Sequence, residues 1–250
     1  MIHIKSDKEI LAMQEGGAKL NRVLTALLAE VKPGLSPLKL DQMAEKLILK
    51  EGGVPSFKKV PGYKWTTCMC INDIVVHGIP YEEPLVEGDV LGLDVGMFYK
   101  GFHTDSSWSV IVGNADKFPE KKQLLAVGEK ALEKAIAQVK VGNRIGHISQ
   151  VIQKDIEAAG YSIIPELVGH GVGKKLHEDP EIPGLLRSTL EKTPIIKAGM
   201  ALAVEVIYSL GDPDIYLDED GWTIRTKDGT LAGLFEKTVV ATNRGVLVLT

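Results

Sequence analysis

The stretch Asp94-Val-Gly-Met-Phe-Tyr-Lys-Gly-Phe-His-Thr-Asp105 decides the fold. It opens inside one apolar run, Val90-Leu-Gly-Leu-Asp-Val95, and closes ahead of another, Trp108-Ser-Val-Ile-Val112. Between them Tyr99-Lys100-Gly101 has the makings of a tight turn, so the segment predicts a β-hairpin. With Tyr99 and Lys100 as the loop, Asp94 faces Asp105 directly. With Lys100 and Gly101 as the loop, the two acids are diagonal neighbours. Either register puts both carboxylates on one face and within reach of each other. Like charges so placed repel, and Asp is disfavoured in strands. A shared divalent cation resolves both problems, because hard metals are held by such oxygens. The competing reading is a pair of solvent-facing acids at a strand end.

Around this hairpin the chain has 250 residues, 44% of them hydrophobic and 25% charged, with a net charge of −4. That suits a globular unit with a large core. No basic block marks a nucleic-acid surface. No apolar run reaches membrane-spanning length, and the N-terminal residues lack a signal-peptide pattern. The two cysteines, Cys68 and Cys70, do not have CxxC spacing, and free thiols suit a reducing compartment. A cytoplasmic location is therefore expected. Cys68 carries no cue for thiol activation and reads as a small apolar wall residue.

The flanking segments repeat. Residues 7–30 have helical apolar spacing, Val31-Lys-Pro-Gly34 breaks it, and Pro37 to Lys50 forms a second helix that stops at Gly52-Gly53. Residues 119–138 are again helical, Val139-Lys-Val-Gly142 breaks them, and Ile145 to Ala159 is followed by Gly160. At a constant shift Leu40, Ala44, Ile48 and Gly52 fall on Ile148, Ile152, Ile156 and Gly160. More loosely, Val76-His77-Gly78-Ile79 echoes Gly169-His170-Gly171-Val172, and the Asp94 strand echoes Ala201-Leu-Ala-Val-Glu205-Val206. These phrases predict a duplicated α/β unit, with half-repeats of about 7–113 and 119–250. Helices lie outside and strands inside. No linker rich in Pro, Gly or Ser separates the halves, so they are expected to share one sheet and one site.

In the duplication Asp94 corresponds to Glu205 and His77 to His170. Glu205 sits in an apolar strand, where a carboxylate is costly unless paired or metal-bound. The last strand, Gly233-Leu-Phe-Glu236-Lys-Thr-Val-Val-Ala241, repeats the anomaly. Lys237 points to the opposite face and is a poor partner for Glu236. His170 lies in the glycine-rich, turn-like Val168-Gly-His-Gly-Val-Gly173. Four carboxylates and an imidazole exceed the needs of one tetrahedral zinc and suit two adjacent divalent ions. Without a thiolate in the set, Mn, Fe(II), Co and Zn all fit. Paired metals point to hydrolysis. His77 and His177 remain as groups that could position a carbonyl or stabilise an oxyanion. His3, His103 and His147 read as ordinary histidines.

Taken together, Asn72-x4-His77-Gly-Ile-Pro, the spacing of Asp94 and Asp105 with Gly101-Phe-His-x-Asp, Gly169-His-Gly-Val-Gly, His177-Glu-x-Pro and Phe235-Glu236 resemble type I methionine aminopeptidase. The resemblance spans essentially the whole chain. It implies an α+β pita-bread fold, in which two pseudo-symmetric halves surround a central, curved, mainly antiparallel sheet as a single catalytic unit, 1–250. It implies metal ligation by Asp94, Asp105, His170, Glu205 and Glu236, with Asp105 and Glu236 bridging. Glu205 corresponds to the proton shuttle, and His77 and His177 to the groups that contact substrate and tetrahedral intermediate. Tyr63, Cys68 and Trp222 correspond to the methionine pocket. The implied substrate is the N-terminus of a peptide or nascent chain with a small second residue. The ribosome is a candidate partner, and a monomer is expected.

The chain departs from the family pattern at four places. Ala203 and Val206 flank the fourth ligand in place of Thr and Pro, Lys237 follows the last ligand in place of His, Pro61 precedes Gly62-Tyr63 in place of His, and Leu176 precedes His177 in place of an aromatic. These changes bear on the tuning of the ligands and on pocket shape. Two other functions remain in view: a proline-specific metallopeptidase of the same fold, and a non-catalytic pita-bread binding protein.

Overall fold

A computed structural model describes residues 2–250. Helix α1 (Asp7–Glu30) begins where the Glu9 carboxylate accepts the Ser6 N–H at 2.9 Å. Its buried face is Met13, Gly16, Gly17, Leu20, Val23, Leu24 and Leu27, the stripe expected from helical spacing. Helix α2 (Pro37–Lys50) has Pro at its first position and Ser36 as its cap, whose Oγ accepts the Lys39 N–H. Helices α3 (Pro119–Ile136) and α4 (Ile145–Ala158) recur after the hairpin, as the repeat predicts.

The strands of the first half are β1 (Val54–Pro55), β2 (Thr67–Ile71), β3 (Ile74–Val76), β4 (Val90–Tyr99) and β5 (Phe102–Ile111). Those of the second are β6 (Ser162–Ile163), β7 (Val168–Gly171), β8 (Glu178–Pro183), β9 (Ala201–Ser209), β10 (Ile215–Leu217), β11 (Ile224–Thr226), β12 (Ala232–Thr242) and β13 (Gly245–Val248). A ten-stranded sheet runs β1-β4-β5-β12-β9-β7-β8, with β2 on β4, β6 on β9 and β13 on β12. Every pairing in it is antiparallel. A smaller sheet, β10-β11-β3, stands beside it. The halves therefore share one sheet, joined where Glu236 and Lys237 of β12 face Ser107 and Ser106 of β5.

Each half has its own apolar layer. Leu20, Leu24, Leu40, Ile48, Met69 and Leu93 form the layer of the first half. Leu132, Ile148, Ile152, Leu202, Val206 and Phe235 form that of the second. Close packing dictates particular glycines. A Cβ on Gly17 of α1 would lie 2.4 Å from the Leu249 carbonyl oxygen, so the end of the chain can seat there only against a bare Cα.

The hairpin adopts the second of its two expected registers. Tyr99 pairs with Phe102, leaving Lys100 and Gly101 as a two-residue loop. Both have positive φ, 48° and 89°, as a type I′ turn requires. Asp94 faces Ser107, Asp105 faces Gly96, and the two acids are diagonal on one face.

Two expectations are corrected. Val168–Gly171 is a strand rather than a turn. Its glycines serve close approach: a Cβ on Gly169 would meet the Ala203 carbonyl oxygen at 2.6 Å, and one on Gly171 the Asp179 carbonyl oxygen at 2.1 Å. The repeat also breaks at its histidines. His170 lies within β7, opposite Ala203, whereas His77 follows β3 of the small sheet with φ 57°.

Candidate active site

The sheet brings the acids together by register. Glu205 on β9 stands directly opposite Glu236 on β12. Asp105 reaches the same place from β5, where its N–H donates to Thr238 Oγ1 at 2.9 Å and its carbonyl accepts the Thr238 hydroxyl at 2.8 Å. One donor atom each from Asp105, His170 and Glu236 lies within 4.8 Å of the others. Glu205 Oε1 is 3.8 Å from His170 Nε2, and Asp94 lines the same cavity. All five expected ligands are thus in one place, three of them as a compact cluster.

The chemistry of this donor set fits divalent metal. Asp94 Oδ1 and Glu236 Oε1 are buried and have no hydrogen-bond partner among the described residues. An unpaired buried carboxylate oxygen is costly, and a cation relieves that cost. Burial first, and neighbouring acids second, push the Asp94, Glu205 and Glu236 carboxyls well above the usual carboxylate range. Burial raises Asp105 to about 7. Four acids so perturbed in one cleft mark a functional site. Burial, and then the nearby His177, lower His170 to about 4, so its ring is neutral at pH 7. His170 Nδ1 lies 2.8 Å from the Gly171 carbonyl oxygen. A carbonyl can only accept, so Nδ1 carries the proton and Nε2 faces the acids as a free lone pair.

A narrow cavity of about 140 Å³ leads into the acids, walled by Phe57, Val60, Tyr63, Cys68, Leu176 and Trp222. The Tyr63 ring packs edge-on to Trp222 at 5.1 Å. Its hydroxyl donates to the Thr67 carbonyl at 2.8 Å and lies 3.3 Å from Cys68 Sγ. Burial pushes both the Tyr63 hydroxyl and the Cys68 thiol up, so neither ionises at neutral pH. Cys68 is the inert wall residue expected of it. Phe57 and Val60 are additions that the sequence did not signal. They flank a single 3₁₀ turn, which has no periodic pattern to read.

The cavity opens into a cleft of about 800 Å³ lined by His3, Glu166, Lys175 and Glu178 among others. His3, read as an ordinary histidine, stands at this wall. His77 and His177 border both the cavity and the cleft. Burial lowers both histidines, with His177 adding to the effect on His77, so both imidazoles are neutral at pH 7. The His177 ring is 4.4 Å from the His170 ring. His77 is held left-handed, a backbone state that non-glycine residues rarely take. The next residue, Gly78, approaches Met69 so closely that a Cβ would lie 2.1 Å from its carbonyl oxygen. His103 is structural: its Nδ1 is 2.8 Å from Ser56 Oγ, and its ring packs on Phe98 at 4.7 Å.

The departures sort by direction. Val206 is fully buried among the second-half apolar residues, facing away from the cluster of acids. Lys237 donates to the Thr250 carbonyl at 2.8 Å and lies over the Trp108 ring, also away from them. Pro61 is exposed at a turn. Leu176 alone of the four lines the pocket.

Comparison with known proteins agrees with this geometry. The profile of metallopeptidase family M24 matches residues 12–243. Methionine aminopeptidase from Thermotoga maritima superposes with a TM-score of 0.95 at 38% identity, covering 100% of this chain and 99% of that one. The prolidase from Pyrococcus furiosus, at 20% identity and a TM-score of 0.80 over 99% of this chain and 65% of its own, shares the fold. The chain belongs to metallopeptidase family M24 and has its pita-bread fold. Within the family it is similar end to end to methionine aminopeptidases. That of Clostridium perfringens is 38% identical, and methionine aminopeptidase 1 of Bacillus subtilis is 39% identical, each over 100% of this chain and 99% of the relative.

Proposed function

We propose that this chain removes N-terminal methionine from peptides and nascent proteins whose second residue is small. The observation that carries the reading is the placement of buried acids, two of them with an unpaired oxygen, at the foot of a narrow, aromatic-walled pocket. An apolar, adaptable slot suits an unbranched thioether side chain, and full-length similarity to methionine aminopeptidases supports that substrate. Asp94, Asp105, His170, Glu205 and Glu236 would hold two divalent ions, Mn, Fe(II), Co or Zn. Bound there, the ions would supply Lewis acidity and lower the pKa of a water.

The chain's own groups do the rest. Phe57, Tyr63, Cys68 and Trp222 enclose the first side chain and exclude water from it. Glu205, which lines both the cavity and the cleft, passes the proton. His77 and His177, neutral at working pH, present N–H donors to the scissile carbonyl as charge develops on its oxygen. The wider cleft receives the residues that follow. We place this activity in the cytoplasm, in a monomer working on chains at the ribosome, with residues 1–250 acting as one catalytic unit of two half-repeats.

The test is release of free methionine from Met-Ala-Ser by metal-stripped protein refilled with each ion in turn. N-acetylated Met-Ala-Ser and an X-Pro peptide run beside it. Metal-dependent release that the acetyl group blocks supports the proposal. Cleavage of the X-Pro peptide alone would replace it with a proline-specific activity.

A further inference from the structure

His177 makes no hydrogen bond among the described residues; its ring only packs against His170 at 4.4 Å. The position of the imidazole is therefore set by the backbone that carries it. That backbone is tied to the N-terminal segment at both ends. Glu178, the next residue, receives the Lys5 ammonium on Oε2 at 2.8 Å and the Lys175 N–H on Oε1 at 3.1 Å. On the other side Lys174 Nζ lies 3.2 Å from Glu9 Oε1.

The Lys5–Glu178 pair is unlike the surface ion pairs of this chain. The side chains are 1% and 11% exposed, and they lie 173 positions apart in sequence. Lys5 is itself anchored, its N–H donating to the Gly199 carbonyl at 2.8 Å. Gly199 must be bare to permit this, since its Cβ would lie 2.6 Å from the Lys5 carbonyl oxygen. Burial works to raise the Glu178 carboxyl, but the Lys5 ammonium and the Lys175 N–H outweigh it, and the group is held below its ordinary value.

Gly173 completes the arrangement. A Cβ there would meet Lys5 Cε at 2.7 Å and Glu178 Oε1 at 2.8 Å. The last glycine of Gly169-His-Gly-Val-Gly173 thus leaves room for this one ion pair. Its backbone is also fixed, accepting the His103 N–H at 2.7 Å.

We propose that Lys5 is a positioning residue for the reaction: through Glu178, in the space left by Gly173, it holds the His177 segment against the cleft. The inference rests on the proposed role of His177 in turnover. A buried pair is replaceable for stability, so its presence beside a catalytic group points to geometry.

The experiment measures kcat and KM for Met-Ala-Ser with manganese-loaded protein. Lys5→Met and Gly173→Ala are made in the native background and in His177→Ala. Gly173→Ala keeps both charges and displaces only their side-chain ends, so it carries the test even where Lys5→Met folds poorly. Each is expected to lower kcat about tenfold with KM and metal content little changed, because a misplaced donor acts on the transition state. Lys5→Arg should restore most of the rate. In the His177→Ala background both changes should alter kcat less than about twofold, the signature of residues acting through one another. Equal losses in both backgrounds, or native kcat in both variants, would overturn the inference. If His177→Ala alone turns over at the native rate, the assignment of His177 itself has failed, and that single variant reads it separately.

Discussion

Glu205 and Glu236 are direct cross-strand partners in the middle of the sheet. Two acids so placed carry a standing electrostatic cost in the metal-free protein. Their carboxyls are raised by burial and by neighbouring acids, and Asp105 beside them is raised to about 7 by burial. A raised folded-state pKa means that the folded chain binds protons more tightly than the unfolded chain. Stability of the metal-stripped protein should then be full below the unfolded carboxyl range and fall as pH rises through about 7. A loss of roughly 2–4 kcal/mol between pH 5 and pH 8 is expected, read by urea unfolding. Metal should reverse the slope, since the cation takes the place of the protons. Glu236→Gln should stabilise the stripped protein at pH 8 while binding less metal. A stripped protein that gains stability toward pH 8 would contradict this account of the acids.

His77 borders both cavity and cleft but belongs to no ligand cluster. His77→Ala should therefore leave metal content intact and lower kcat by roughly a hundredfold, the usual loss for one donor to a developing oxyanion. Metal analysis beside steady-state kinetics separates the two effects. An unchanged rate would make His77 a structural residue.

Trp222 contributes an edge-on contact with Tyr63 and one wall of the narrow cavity. Trp222→Ala should weaken binding of the first side chain by about 1–2 kcal/mol, raising KM roughly five- to thirtyfold with little change in kcat. The loss should shrink for a substrate beginning with a smaller apolar residue. A fall in kcat at constant KM would place Trp222 in transition-state geometry instead.

His103 offers a pH test independent of catalysis. Burial first, and Lys59 second, lower it to about 4, so the folded chain keeps it neutral while the unfolded chain takes up a proton below about 6.5. Its contribution is present at pH 7 and fades as pH falls from 6.5 toward 4. The stability gap between the native protein and His103→Phe should narrow by roughly 1–2 kcal/mol from pH 7 to pH 5. A gap that stays constant over that range would mean the ring protonates within the fold.

The helices, the hairpin, and the four acids and one imidazole that the structure gathers were legible because their signals are local or violate an expectation. A helix stripe is periodic, and an acid in an apolar strand is conspicuous. What escaped depended on three-dimensional closeness. The hairpin register turned on Lys100 adopting a left-handed backbone, which its side chain gives no reason to expect. The glycines around His170 signalled a turn, yet they serve strands that pass too close for any Cβ. Phe57, Val60 and His3 reach the cavity and cleft from segments whose own pattern says nothing of a pocket. The departures at Val206 and Lys237 looked like changes beside the ligands. In a strand, adjacency in sequence means opposite faces, and both side chains point elsewhere.

The seam between β5 and β12 also bears on how the protein comes into being. The proposed ligands arrive along the chain at 94, 105, 170, 205 and 236, and Glu236 meets Asp105 only when β12 docks between β5 and β9. During synthesis the first hairpin therefore emerges with β1 and β2 available to pair with β4, but with the β5 edge that carries Asp105 uncovered. No fragment ending before β12 holds the full proposed set, so the proposed site is completed only by the next-to-last strand.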